Sequence, residues 1–148
     1  MIKNVAIACD HGGYELKLLV MKHLEEAGVA FKDFGCDSTA SVDYPDYGIP
    51  AAAAVAAGEF EAGILICGTG IGMSLCANKV RGIRAAVCSD TFCARMTRAH
   101  NDANVLCMGA RVIGMGVAFD IVDAFLQTEF EGGRHSVRIA KVMEEESN

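Results

Sequence analysis

The chain has 148 residues, a length that suits one domain with a sizeable core, and 52% of them are hydrophobic, which excludes extensive disorder. Its formal net charge of -6, with no run of lysine or arginine, argues against a nucleic-acid or anionic-membrane surface. Seven cysteines, at Cys9, Cys36, Cys67, Cys76, Cys88, Cys93 and Cys107, include no pair at zinc-knuckle or redox-motif spacing, so reduced thiols in a cytoplasmic protein are expected.

The opening "MIKNVAIACDHGG" runs straight into a strand and a polar turn, without the pattern of a signal peptide. "NVAIAC" reads as a strand buried on both faces. Leu16, Leu19, Val20, Leu24 and Ala27 then recur at helical spacing up to Gly28. "VAFKDFG" is a second strand, "CDSTASVDYPDYG" a polar loop, and "IPAAAAVAAG" a helix of small residues. The pattern repeats with strand "AGILICG", helix "IGMSLCANKV", strand "IRAAVCS" and helix "DTFCARMTRAH", the last capped by Ser89 or Asp90. "ANVLCMG" is a fifth strand, followed by the helix "MGVAFDIVDAFLQTEF", a break at "EGG" and a terminal helix "RHSVRIAKVMEEE". Such alternation with short connections predicts a single α/β domain over 1–148: a three-layer, doubly wound fold around a five-stranded parallel sheet. No apolar run is long enough to span a membrane.

Sheets of this kind bind ligands beyond the carboxyl ends of their strands. There the sequence offers Asp10 and His11 after the first strand, and "CGTGIG" after the third. Its glycines alternate at Gly68, Gly70 and Gly72, and Met73 stands where a dinucleotide fingerprint needs its last glycine. A P-loop would end in Gly-Lys-Ser/Thr, and a cysteine phosphatase would carry an arginine at the position of Met73; neither is found. What remains is a nest of backbone N–H groups at a helix start, suited to an anion or an oxygen that becomes charged in a reaction. Cys67 heads this nest. A thiol beside a helix N-terminus is shifted toward the thiolate, which suits a general base. The competing reading is a core cysteine that merely ends a strand.

Five stretches in order, "CDHGGYELK", "DYPDY", "GILICGTGIGMSLCANKVRGIRAAVC", "AHNDANVLCMGARVIG" and "EFEGGRH", resemble the type B ribose-5-phosphate isomerases, a family that includes allose- and galactose-6-phosphate isomerases. The resemblance covers nearly the whole chain and implies a Rossmann-like fold. It implies interconversion of an aldose and a ketose phosphate through a cis-enediolate, without metal or other cofactor. Cys67 would be the proton-transfer base, Thr69 would orient substrate or base, and the amides of Gly68, Gly70, Ile71 and Gly72 would hold the enediolate oxygen. Members lacking the cysteine carry a glutamate where this chain has Met73. His100 would open the sugar ring, a task that suits imidazole near neutral pH, although a histidine at a helix end often only caps carbonyls. Asn101 and Asp10 would contact the sugar, and His11 the sugar or its phosphate. Arg134 and Arg138, four apart on one helix face, would grip phosphate with Arg111. His135, Tyr44 and Tyr47 are weaker candidates, and His23 is given no role.

His100 ends the helix before the fifth strand, whereas Cys67 lies at the opposite edge of the sheet. The strand between is about five residues long, or roughly 16 Å. Both can serve one sugar only across a subunit boundary, so a homodimer with composite sites is expected, its further pairing into tetramers left open. Other readings are a six-carbon substrate, a non-catalytic phosphosugar- or nucleotide-binding module, and a redox cysteine protein. Metal-assisted chemistry is disfavoured because the sequence shows no tight His/Asp/Glu cluster.

Overall fold

The computed structural model describes residues 1–148. Its strands are β1 (Asn4–Cys9), β2 (Ala30–Asp33), β3 (Ala62–Cys67), β4 (Ala85–Val87) and β5 (Val105–Gly109). All pair in parallel, in the order β2-β1-β3-β5-β4. The helices are α1 (Tyr14–Glu26), α2 (Pro45–Ala56), α3 (Ile71–Ala77), α4 (Thr91–Asn101), α5 (Met115–Gln127) and α6 (Arg134–Glu144), with a 3-10 turn over Glu145–Ser147. This is the expected doubly wound architecture.

Successive side chains of a strand point to opposite faces, and the three inner strands are apolar at nearly every position, so both faces must be covered. Ile7, Ile64, Ile66, Leu106 and Met108 join one core with residues of α1, α4 and α5. Ala6, Ala8, Leu65, Val105 and Cys107 join the other with residues of α2 and α3. The alanine-rich helix therefore faces the alanines of β1, where small side chains allow close approach.

Several local expectations are corrected. Helix α2 starts at Pro45 rather than Ile49, because proline's fixed φ and missing N–H suit a first helical turn. Helix α3 stops at Ala77, short of Val80, as the Asn78 side chain bonds the Ala85 backbone: its Oδ1 accepts from Ala85 N at 2.8 Å, and its Nδ2 donates to Ala85 O at 3.0 Å. Of the two caps expected for α4, Ser89 or Asp90, the structure has Asp90, whose Oδ1 accepts the Cys93 N–H at 2.7 Å. Leu19 and Ala27 are exposed, and Lys17 instead lies fully buried on the inner face of α1. Its Nζ donates to Asp33 Oδ1 at 2.8 Å and to the Cys36 carbonyl, so the buried charge is paired.

The site's place follows from the winding. The chain steps from β1 to β2 on one side, then crosses to β3 on the other. The loops after β1 and β3 thus lead to helices on opposite faces, and the carboxyl edge between them, where Gly12 approaches Gly68, is where such sheets bind ligands. Helix α6 stands apart from both cores, with only His135 buried.

Candidate active site

Cys67 closes β3, in register with Gly109 of β5. It is 5% exposed, and the Gly70 N–H points at its sulfur from 3.1 Å. Gly70 is the residue that turns the loop into α3, at φ +80°, and a Cβ there would lie 2.9 Å from the Met108 carbonyl carbon. Only glycine fits. The loop lies equally close to Gly109, where a Cβ would stand 2.6 Å from the Thr69 carbonyl. The nest is partly spent on itself: the Gly70 amide serves Cys67, and the Ile71 amide donates to Thr69 Oγ1 at 3.2 Å. The amides of Gly68, Thr69 and Gly72 make no hydrogen bond within the chain.

Other candidates gather at this edge. Asp10 is buried, and its Oδ1 accepts from the amides of Gly12 and Gly13 at 2.9 and 3.2 Å. That oxygen shapes the turn, while the second carboxylate oxygen has no partner in the chain. His11 Nδ1 accepts the Val42 N–H at 3.2 Å, tying the long loop after β2 to this edge and leaving Nε2 as the donor. The Tyr44 ring packs on Gly72, where a Cβ would stand 2.8 Å away, and Tyr47 packs on Gly35. Arg111 lays its guanidinium over Gly68 and has no acidic partner.

A second group occupies the amino edge. His100 sits in the last turn of α4, and its ring stacks on that of His135, centroids 4.3 Å apart and planes 11° from parallel. With Asn101 and Arg138 they line a cavity of about 670 Å³. Arg134 and Arg138 are exposed and free of acidic partners. Asp102 is structural: at φ 44° it ends α4 and pairs with Arg98 at 2.9 Å and Arg84 at 3.4 Å. Burial lowers the His135 pKa, and the neighbouring His100 adds to that shift.

The expectation that no tight His/Asp/Glu cluster exists is overturned here. Glu131 Oε2 lies 3.8 Å from His100 Nε2 and 3.5 Å from His135 Nε2. The three residues come from α4, the break after α5 and the start of α6, so sequence spacing hides the cluster. A main-chain bond, Glu131 N–H to the Ala99 carbonyl at 3.0 Å, sets the contact. The "EGG" stretch gave a turn signal, and that signal masked its glutamate.

The two groups do not meet within the chain. Gly63 pairs with Val105 and Cys67 with Gly109, so the full length of β5, about 13 Å, separates the end that follows His100 from the end that carries Cys67. Arg111 lies with Cys67, while Arg134 and Arg138 lie with His100.

A family model described as Ribose/Galactose Isomerase matches residues 5–142. The Escherichia coli K12 protein described as ribose-5-phosphate isomerase B is 50% identical over 141 residues, covering 95% of each chain. The solved structure of Clostridium thermocellum ribose-5-phosphate isomerase B superposes with a TM-score of 0.96 at 52% identity and covers 97% of both chains. That of the Trypanosoma brucei type B enzyme gives 0.92 at 47% identity, over 98% of this chain and 99% of that one. A doubly wound sheet that matches these structures over its whole length belongs to a sugar-phosphate isomerase, and the reading as a non-catalytic module is set aside. The chain belongs to the ribose/galactose isomerase family, in the group of the type B ribose-5-phosphate isomerases.

Proposed function

We propose that the protein interconverts ribose 5-phosphate and ribulose 5-phosphate, a step of the pentose phosphate pathway, through a cis-enediolate and without metal or other cofactor. The observation that carries the chemistry is the Cys67 sulfur, 3.1 Å from the Gly70 amide and flanked by the unspent amides of Gly68, Thr69 and Gly72. His100 takes the proton of the ring hydroxyl and returns one to the ring oxygen, which frees the aldehyde. The Cys67 thiolate then removes the proton on C2, the amides hold the negative oxygen, the C2 hydroxyl proton passes to the C1 oxygen, and the Cys67 thiol delivers its proton to C1. Thr69 orients the reacting end, and Asp10, His11 and Asn101 hold sugar hydroxyls. Arg111, Arg134 and Arg138 bind the phosphate dianion, to which the guanidinium fork is matched.

The sheet-length gap between Cys67 and His100 supports a homodimer whose sites each draw on two chains. Ile71 and Leu75, one turn apart on α3, are 55% and 61% exposed and give a partner an apolar surface to cover. Seven unpaired cysteines fit the reducing cytoplasm, and no helix is long and apolar enough to cross a membrane.

Turnover of ribose 5-phosphate, compared with allose 6-phosphate and galactose 6-phosphate, tests the substrate; preference for a six-carbon sugar overturns it. Replacing Cys67 with alanine tests the mechanism. Isomerisation falls about a thousandfold while phosphosugar binding persists, as removal of a general base predicts; unchanged turnover removes Cys67 from the chemistry.

A further inference from the structure

We propose that His100, Glu131 and His135 form a binding site for a divalent zinc-class cation, and that an ion held there blocks the isomerase by occupying its ring-opening histidine. The inhibitory half rests on the role proposed for His100; the site itself does not.

Two imidazoles and one carboxylate are a common zinc donor set, with a fourth position left to water. Their donor atoms all lie within 4.8 Å of one another, and the glutamate oxygen is 3.8 and 3.5 Å from the two ring nitrogens. A tetrahedral ion with bonds of about 2.0–2.1 Å spaces its ligand atoms about 3.4 Å apart, so those two contacts need to close by only a few tenths of an ångström. The nearly parallel rings must tilt toward a common point, and His100, with 38% of its side chain exposed, has room to do so.

A second observation points to a missing partner. The His135 side chain is 7% exposed, and its Nε2 is buried without a hydrogen bond, with Glu131 Oε2 3.5 Å away. A buried polar nitrogen without a partner is rare and costly. It is aimed at the carboxylate that a shared ion would bridge. The main-chain bonds Glu131 N to Ala99 O at 3.0 Å and His135 N to Gly132 O at 3.1 Å hold both backbones in place before any ligand arrives. Arg134 and Arg138 on the same helix oppose a cation, and Glu131 offsets one of their charges. Binding is therefore expected to be modest, reversible and well short of a structural zinc site. An ion on His100 Nε2 takes the lone pair that would accept the sugar's proton, so ring opening stops while the fold is untouched.

The test is calorimetric titration of zinc chloride into the full chain without substrate, repeated with Glu131→Gln and His135→Gln. One ion per chain is expected, with affinity lowered by about a hundredfold or more by either change, at or beyond the upper end of the loss typical of outer-shell residues. Glu131 is exposed, so its variant reads the site even if the buried His135 variant folds poorly. Cobalt(II) in place of zinc should give tetrahedral visible absorption without a sulfur-to-metal charge-transfer band. No binding, unaltered affinity in Glu131→Gln, or a thiolate band from any cysteine overturns the site. In the activity arm, zinc should slow wild-type turnover, chelation should restore it, and Glu131→Gln should show a smaller ratio of free to inhibited rate. Zinc bound through these ligands with turnover unaffected overturns the inhibitory half and counts against His100 as the ring-opening group, while the cation site stands.

Discussion

In the proposed mechanism His100 opens a ring and Cys67 moves a proton, so their loss has different consequences for different sugars. A four-carbon aldose phosphate is too short to close a stable ring and does not need His100. His100→Asn is expected to lower turnover of the pentose phosphate about a hundredfold while leaving the four-carbon substrate nearly unchanged, the signature of an acid/base confined to ring opening. Equal losses on both sugars, measured by steady-state kinetics, would contradict that division. A purely structural residue behaves otherwise, and Asp90 supplies the contrast. The Cys93 amide that its carboxylate accepts holds its pKa below the usual 3.8. The unfolded chain then binds more protons than the folded one in that range, so the cap's contribution is complete above pH 3.8 and is lost as pH falls through the lowered value. Urea unfolding of Asp90→Ala should show a clear deficit against wild type at neutral pH and a smaller one at the acid end, with kcat unaltered. A deficit independent of pH would contradict the ionised cap.

At the scale of elements, Lys17 is where ordinary patterning misleads. Helix α1 has an apolar stripe, and its most deeply buried long side chain is a lysine that joins β2 to the loop carrying Cys36. Removing one partner of a buried pair leaves the other uncompensated, so Lys17→Ala is expected to destabilise the protein by about 3 kcal/mol. Lys17→Met keeps most of the volume and should cost clearly less; equal costs in urea unfolding would show that charge pairing alone, with no contribution from packing, holds the site. Cys9 is in the same neighbourhood, 3.8 Å from the Cys36 sulfur, and burial pushes its thiol up to about 12. The strands, their order of appearance and the glycine loop were legible because apolar periodicity and turn residues are local. Three features were not: Pro45 opening a helix rather than closing a loop, Lys17 turned inward by acceptors on β2, and Glu131 delivered to two histidines. The first is a local signal that the polar loop around it obscured; the other two depend on contacts between residues far apart in sequence, which spacing does not encode. His135 was only a weak candidate for the same reason, since its stacking partner arrives from another helix.

For the whole molecule, the fold places the two groups proposed as half-sites at opposite edges of one sheet. Cys67, the loop amides and Arg111 form one half; His100, Asn101, Arg134 and Arg138 form the other. Parallel strands make this unavoidable, since every strand of the sheet points the same way and a helix that precedes a strand ends at the edge away from the switch point. Two-fold pairing is the simplest arrangement that brings one half of each chain to the other half of its neighbour. The direct measurement is complementation. Cys67→Ala and His100→Asn, each defective alone on ribose 5-phosphate, are mixed in equal amounts, dissociated and reassociated. Random pairing makes half of the dimers mixed, and in each of these one site regains both wild-type residues, so about one quarter of wild-type activity should return. Activity no greater than the sum of the separate variants would contradict sites shared between chains.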